Sequence, residues 1–117
     1  MPNDHEMTVH ELKEKVRRFC EARNWDRYHN PKDLAIGVIT EASELLEHFR
    51  FKSRTQVNAL LKAPKSRQAI CDELIDVLHT VLRFSQLYGI DLSSELDRKM
   101  RANELKHPVP YQKRRKT

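Results

Sequence analysis

The sequence is poor in the residues that mark tight turns and crosslinks. Its 117 residues include two glycines, two cysteines and one tryptophan. With 33% charged and 38% hydrophobic residues, the composition favours several helices separated by short polar breaks over a glycine- and turn-rich β fold. A chain of this length is expected to form one domain with little room for a large core of its own.

Long apolar runs are also missing. No uncharged stretch is long enough to span a bilayer, and the N-terminal "MPNDHEMT" has no signal-peptide apolar segment. Cys20 and Cys71 are far apart and each lies within a helical pattern, which favours buried thiols in a reducing compartment over a disulfide. We therefore expect a cytoplasmic protein that does not associate with membranes.

The net charge of +5 is concentrated near the C-terminus. Without Lys106, Lys113, Arg114, Arg115 and Lys116, the chain has 17 basic and 17 acidic residues. We place a domain at residues 1–108 and a basic, flexible tail at 109–117. A solvated tail is the favoured interpretation, and an arm that binds nucleic acid or a targeting signal is the alternative.

Periodicity and end signals predict four to five helices and an all-α fold. The predicted helices run from Thr8 to about Arg23, from Pro31 to about Phe49 or Arg50, from Thr55 to Lys62, from Ser66 to Tyr88, and from Asp91 or Ser93 to just before Pro108. Thr8 and Glu11 have the spacing of a capping box, and Gly89 suits a helix C-terminus.

The fourth predicted helix is apolar over nearly half of its circumference, which is wider than a surface helix usually requires. Its apolar residues are Ile70, Leu74, Ile75, Val77, Leu78, Val81, Leu82 and Phe84. We therefore predict a bundle completed between copies, as a homodimer or homotetramer.

Glu41 interrupts the apolar stripe of the second helix. Leu34, Val38, Glu41 and Leu45 fall within roughly 60° of one another around the axis. An ionised carboxylate among packed side chains needs a basic partner, a shared proton or a metal ion.

Two acidic pairs, Glu41 with Glu44 and Glu73 with Asp76, have a spacing of three that places each pair on one helical face. Both pairs border apolar stripes, so we expect them to meet in the bundle interior and to bind a divalent metal, magnesium or manganese. Solvated acidic residues are the alternative interpretation. A ferritin-like di-iron site is disfavoured, because such sites use Glu-x-x-His and the third residues after Glu41 and Glu73 are Glu44 and Asp76 rather than histidine.

Several motifs in one order resemble a known family. The segment "EARNWDRYHNPKDLAIGVITEASELLEHFRFK", followed by "DELIDVL" and "KMRANELKHP", is similar to the MazG-like nucleotide pyrophosphohydrolases of the all-α NTP pyrophosphatase superfamily, in particular their dCTP pyrophosphatase branch. The likeness covers roughly residues 8–108.

This resemblance implies an enzyme that hydrolyses a nucleoside triphosphate, with dCTP-like substrates favoured, to the monophosphate and pyrophosphate, for nucleotide pool balance or cleansing. By position, the metal ligands would be Glu41, Glu44, Glu73 and Asp76, with Glu41 or Glu44 also acting as the catalytic base. Lys99 and Asn103 would contact phosphate, and Trp25, His29, Phe51 and Thr80 would line the nucleotide pocket.

Three positions depart from the family pattern. Phe51 stands where tryptophan is frequent, Thr80 where the dCTP-hydrolysing enzymes tend to have tyrosine, and His107 where tyrosine usually precedes the proline. They put the dCTP preference in question but not the reaction type. The alternative function is a non-catalytic helical interaction module that uses its basic tail to bind nucleic acid or a partner. If the protein is the enzyme, we do not expect it to bind nucleic acid.

Overall fold

A computed structural model describes residues 1–110, which contain helices and no strand. The helices are α1 (Val9–Ala22), a 3₁₀ turn (Trp25–Tyr28), α2 (Pro31–Glu47), α3 (Arg54–Lys62), α4 (Pro64–Leu87) and α5 (Leu92–Lys106). The predicted all-α class is confirmed. Of the predicted basic tail at 109–117, residues 111–117 lie outside the described residues.

The helix ends largely follow the predicted signals. Thr8 and Glu11 form the capping box at the start of α1, each side chain bonding the backbone N–H of the other at 3.1 Å. Gly89 has φ +62°, a conformation that glycine adopts without steric cost. The Ile90 N–H bonds the Ser85 carbonyl oxygen at 2.9 Å, which completes a Schellman end for α4.

The differences lie at helix boundaries. The connection before α2 contains the short 3₁₀ turn, preceded by Asn24 at φ 56°. Helix α4 begins at Pro64, two residues earlier than predicted, because proline fits the first helical position, where its missing N–H has no role. Helix α2 ends at Glu47, and the next turn tightens through a bond from the His48 N–H to the Leu45 carbonyl.

Helix α4 is the centre of the fold, since α1, α2 and α3 all pack against it. The buried core is small. It joins Val16 and Cys20 of α1 to Leu82 of α4, with Leu12 and Leu92 partly buried against them. Cys20 and Cys71 are free thiols, as predicted.

Much apolar surface stays uncovered in the single chain. Ile39 on α2 is 71% exposed, and Leu74, Ile75 and Leu96 are also exposed. Helix α5 makes few contacts with the rest of the chain beyond its first turn. An apolar groove of about 400 Å³ runs beside α2 and α4 and is lined by Ala35, Val38, Ile39, Val81, Phe84, Ser85, Ile90 and Leu92. No helix within residues 1–110 has the length and apolar character needed to cross a membrane.

Candidate functional site

Three of the four predicted metal ligands meet where α2 packs against α4. One carboxylate oxygen from each of Glu41, Glu73 and Asp76 lies within 4.8 Å of the other two. Glu44, one turn after Glu41, is close enough to affect both glutamates through its charge and hydrogen bonding. The i, i+3 spacing therefore brings the acidic pairs of the two helices to a common place.

Glu41 and Glu73 are partly buried at this junction. The Oε2 atom of each is buried and has no hydrogen-bond partner among the described residues. Unpaired buried carboxylate oxygens are costly, because ionised groups lose their hydration without a compensating contact.

The electrostatics follow from this crowding. Burial is the largest cause that raises the pKa of Glu41, and the neighbouring charges of Glu44, Asp76 and Glu73 raise it further. Burial and Glu44 likewise raise the pKa of Glu73, while the charge of His48 opposes the rise. Clustered carboxyl groups that resist ionisation and keep oxygens unsatisfied fit a divalent cation, whose charge would reverse both effects.

An aromatic group adjoins the acidic residues. Phe19 of α1 meets the Trp25 ring edge-on at a centroid distance of 5.5 Å and the His79 ring at 5.9 Å. His79 lies one helical turn after Asp76, whose charge acts on it. Trp25, which is partly exposed, is thus linked through Phe19 and His79 to the side of α4 that carries Asp76.

His29 is held by a buried arginine. Arg83 of α4 is 1% exposed and donates from Nε to His29 Nδ1 at 2.9 Å and from Nη1 to Gln86 Oε1 at 2.6 Å. It also pairs with Asp26 of the 3₁₀ turn. Burial, followed by the charge of Arg83, lowers the pKa of His29.

Thr80 and Phe51 have different surroundings. Thr80 packs against Gly37 of α2, where an added Cβ would meet the Thr80 methyl carbon at 3.3 Å, and its hydroxyl donates to the Asp76 carbonyl oxygen at 3.2 Å. Phe51 is 93% exposed at φ 62°, with the Arg50 guanidinium 4.7 Å from the centre of its ring.

Lys99 and Asn103 lie on α5, and no described contact joins that helix to the acidic residues. Lys99 is exposed and Asn103 is partly buried. Their phosphate-binding role therefore stays a prediction, as do the nucleotide-binding roles of Trp25, His29, Phe51 and Thr80.

Sequence reasoning did not identify Asp26, Arg83, Phe19 or His79. One signal was available for Arg83: it follows Asp76 by seven residues, which places both on nearly the same face of α4. Its partners are 54 and 57 residues away in sequence, so no local pattern could have named them.

A family model described as the MazG-like family matches residues 36–117. The chain belongs to the MazG-like family. The predicted resemblance to this family is thereby confirmed. Mouse dCTP pyrophosphatase 1 is 31% identical over 104 residues, and the human protein of that name is 27% identical over the same length.

These alignments cover 89% of this MazG-like chain and 61% of each relative, so the chain spans about three fifths of the curated relatives' length. A crystal structure of a pyrophosphatase from Archaeoglobus fulgidus matches over its whole length and over 93% of this chain, with 32% identity and a TM-score of 0.80. The likeness therefore includes the fold as well as the sequence motifs.

Proposed function

We propose that this MazG-like protein hydrolyses nucleoside triphosphates to the monophosphate and pyrophosphate, depends on magnesium, and favours dCTP-like deoxynucleotides. The observation that carries the proposal is the meeting of Glu41, Glu73 and Asp76 at the α2–α4 contact with two buried, unsatisfied oxygens. The likeness to dCTP pyrophosphatase 1 supports the substrate class. The cellular role that follows is nucleotide pool balance or cleansing in the cytoplasm.

Glu41, Glu44, Glu73 and Asp76 would hold Mg²⁺, with Mn²⁺ as the alternative, because hard cations of this size prefer oxygen ligands. When bound, the ion would screen the triphosphate charge so that water can approach the α-phosphorus. The acidic residues have this role only together, since a single carboxylate cannot balance a divalent charge.

The reaction needs a proton acceptor. Water attacks the α-phosphorus, a new phosphorus–oxygen bond forms, and the bond from the α-phosphorus to the α–β bridging oxygen breaks as pyrophosphate departs. A carboxylate oxygen of Glu41 or Glu44 accepts the proton of the attacking water.

Other residues bind and orient the substrate. Lys99 neutralises charge on the departing pyrophosphate, and Asn103 donates from its side-chain amide to a phosphate oxygen. Trp25 and Phe51 offer ring faces for stacking on the base, while His29 and Thr80 carry polar groups for the nucleoside.

Pyrophosphate release from the eight common ribo- and deoxynucleoside triphosphates, measured with magnesium, with manganese and with a chelator, tests the proposal. We expect turnover only with the divalent ions, with dCTP among the best substrates. Failure to release pyrophosphate from every nucleotide, or release of inorganic phosphate instead, would overturn it.

A further inference from the structure

Arg83 is the most deeply buried charged residue among those described, and it acts on the connection that carries Trp25 and His29. Its guanidinium contacts Asp26, His29 and Gln86. Two of these partners belong to the segment between α1 and α2, so a residue of α4 holds that segment in place.

The contact with His29 has a chemical consequence. Arginine keeps its proton at every physiological pH, and its guanidinium nitrogens can only donate hydrogen bonds. The His29 Nδ1 atom, 2.9 Å from Arg83 Nε, must therefore be the acceptor and carry no proton. A ring turned by 180° would place a carbon against the donor and leave a buried N–H unsatisfied.

A neutral imidazole with a bare Nδ1 carries its proton on Nε2. The neighbouring Arg83 charge and burial both disfavour a second proton, as the lowered pKa of His29 indicates. Nε2 is not among the buried unsatisfied atoms and has no hydrogen-bond partner within residues 1–110. It is thus an accessible, uncharged N–H donor.

Under the proposed function, this donor lies beside a ring that would stack on the base. The His29 ring is 6.3 Å from the Trp25 ring. Its anchor Arg83 follows Asp76 by seven residues on the same face of α4, which corresponds to roughly 10 Å along the helix.

We infer that Arg83 is a positioning residue that holds His29 as the Nε2–H tautomer, so that His29 donates a hydrogen bond to a carbonyl oxygen of the nucleotide base. The inference rests on the proposed function for its ligand. The tautomer itself depends only on the contact between the two side chains.

The tautomer is measured directly on the wild-type protein by long-range ¹H–¹⁵N correlation NMR, with the His29 signals assigned by their loss in His29→Gln. We expect an unprotonated Nδ1 and a protonated Nε2 at neutral pH. In Arg83→Met, if it folds, and otherwise in Arg83→Gln, whose amide can accept as well as donate, this pattern should weaken, whereas Arg17→Met on the surface of α1 should leave it unchanged. A proton on Nδ1 in the wild type would overturn the inference.

The carbonyl contact is tested with His29→Asn, whose shorter amide keeps a partner for Arg83 but offers no donor at the Nε2 position. We expect the KM for dCTP, dTTP and dGTP to rise about three- to tenfold, the effect of one lost neutral hydrogen bond, with kcat unchanged. The KM for dATP should not change, because adenine has no carbonyl oxygen. His29→Gln, which restores an N–H donor near that position, should recover most of the affinity.

Two outcomes separate failure of this inference from failure of the proposed function. Equal losses for all four nucleotides, or no loss, would overturn the carbonyl contact while the enzyme remained a pyrophosphohydrolase. Nucleotides that the wild type does not turn over are compared by their inhibition or binding constants. If magnesium and dCTP neither react nor shift the His29 Nε2 signal, both the contact and the proposed function are wrong.

Discussion

Glu41 on α2 and Glu73 on α4 face one another across the contact of the two helices, each with its Oε2 atom buried and without a hydrogen-bond partner. Ionisation of these groups destabilises the metal-free fold, because burial and mutual repulsion raise the pKa of both glutamates. This destabilisation is a property of the fold, and several measurable consequences follow from it.

In the metal-free protein, the two glutamates should destabilise the fold increasingly as the pH rises above about 4.5, the ordinary pKa from which both groups are raised. The folded state then retains protons that the unfolded chain releases, so ionisation favours unfolding. Replacing one carboxylate by an amide removes this penalty. In a chelator, Glu73→Gln should therefore have the higher Tm at neutral pH, and the difference should shrink as the pH falls toward 4.5.

Thermal unfolding of both proteins across this pH range is the measurement. Glu104→Gln is the control, since Glu104 is exposed on α5 and belongs to no acidic group. Burial lowers the pKa of His29 and His79, so protonation of these residues at low pH destabilises the fold, opposite in sign to the effect of the glutamates. This contribution is common to all the variants and cancels when they are compared. A Glu73→Gln protein that melts lower than wild type at neutral pH would contradict the prediction.

Removing a ligand should abolish both activity and metal binding. Glu73→Ala and Asp76→Ala should each lower kcat/KM at least about a hundredfold, because stabilisation of transition-state charge by a metal contributes several kcal/mol. Magnesium at a hundred times its dissociation constant should stabilise the wild type by about 2.7 kcal/mol and should not stabilise the variants.

The matched control is Asp72→Ala on the same helix. Asp72 is exposed and accepts a hydrogen bond from Gln68 at 3.0 Å. Far-ultraviolet circular dichroism checks that helix content is retained. If Asp76→Ala kept wild-type activity, the acidic residues would not be the metal site.

Periodicity was enough to find the acidic residues, because the two pairs lie on regular helices and the partial burial of Glu41 and Glu73 follows from the apolar residues beside them. Glu41 could be singled out from Leu34, Val38 and Leu45 alone. The pairing of Arg83 with Asp26 and His29 could not be predicted from periodicity, because it depends on how the segment between α1 and α2 folds back onto α4. Lys99 and Asn103 show the same limit, because periodicity gives their helix but not its position relative to α2 and α4.

The predicted homo-oligomer is tested at the apolar groove. Ile39 is 71% exposed and lines that groove together with Val81 and Phe84, and a contiguous apolar surface of this kind is typical of an interface. Light scattering should give a mass of two or four times 13.9 kDa. Ile39→Glu should shift the protein toward monomer, because it introduces a charge that association would bury.

Asn58→Glu on the exposed surface of α3 is the control for the added charge. It should leave the mass unchanged. A wild-type protein that is monomeric at micromolar concentration would contradict the prediction.

Phe51 can be tested without disturbing a core. Its side chain is 93% exposed and its backbone has φ 62°, a conformation that costs a non-glycine residue about 1–2 kcal/mol. Phe51→Gly relieves that strain while giving the unfolded chain more freedom, so the free energy of unfolding should stay within about 1 kcal/mol of wild type.

If the ring stacks on the base, the KM should rise at least about fivefold, since stacking on an aromatic ring contributes about 1–3 kcal/mol. Phe51→Trp, which keeps a larger ring face, should retain or improve affinity. Unchanged KM values in Phe51→Gly would instead assign the ring to packing against another copy of the chain, and light scattering of the same variant would then show a loss of association.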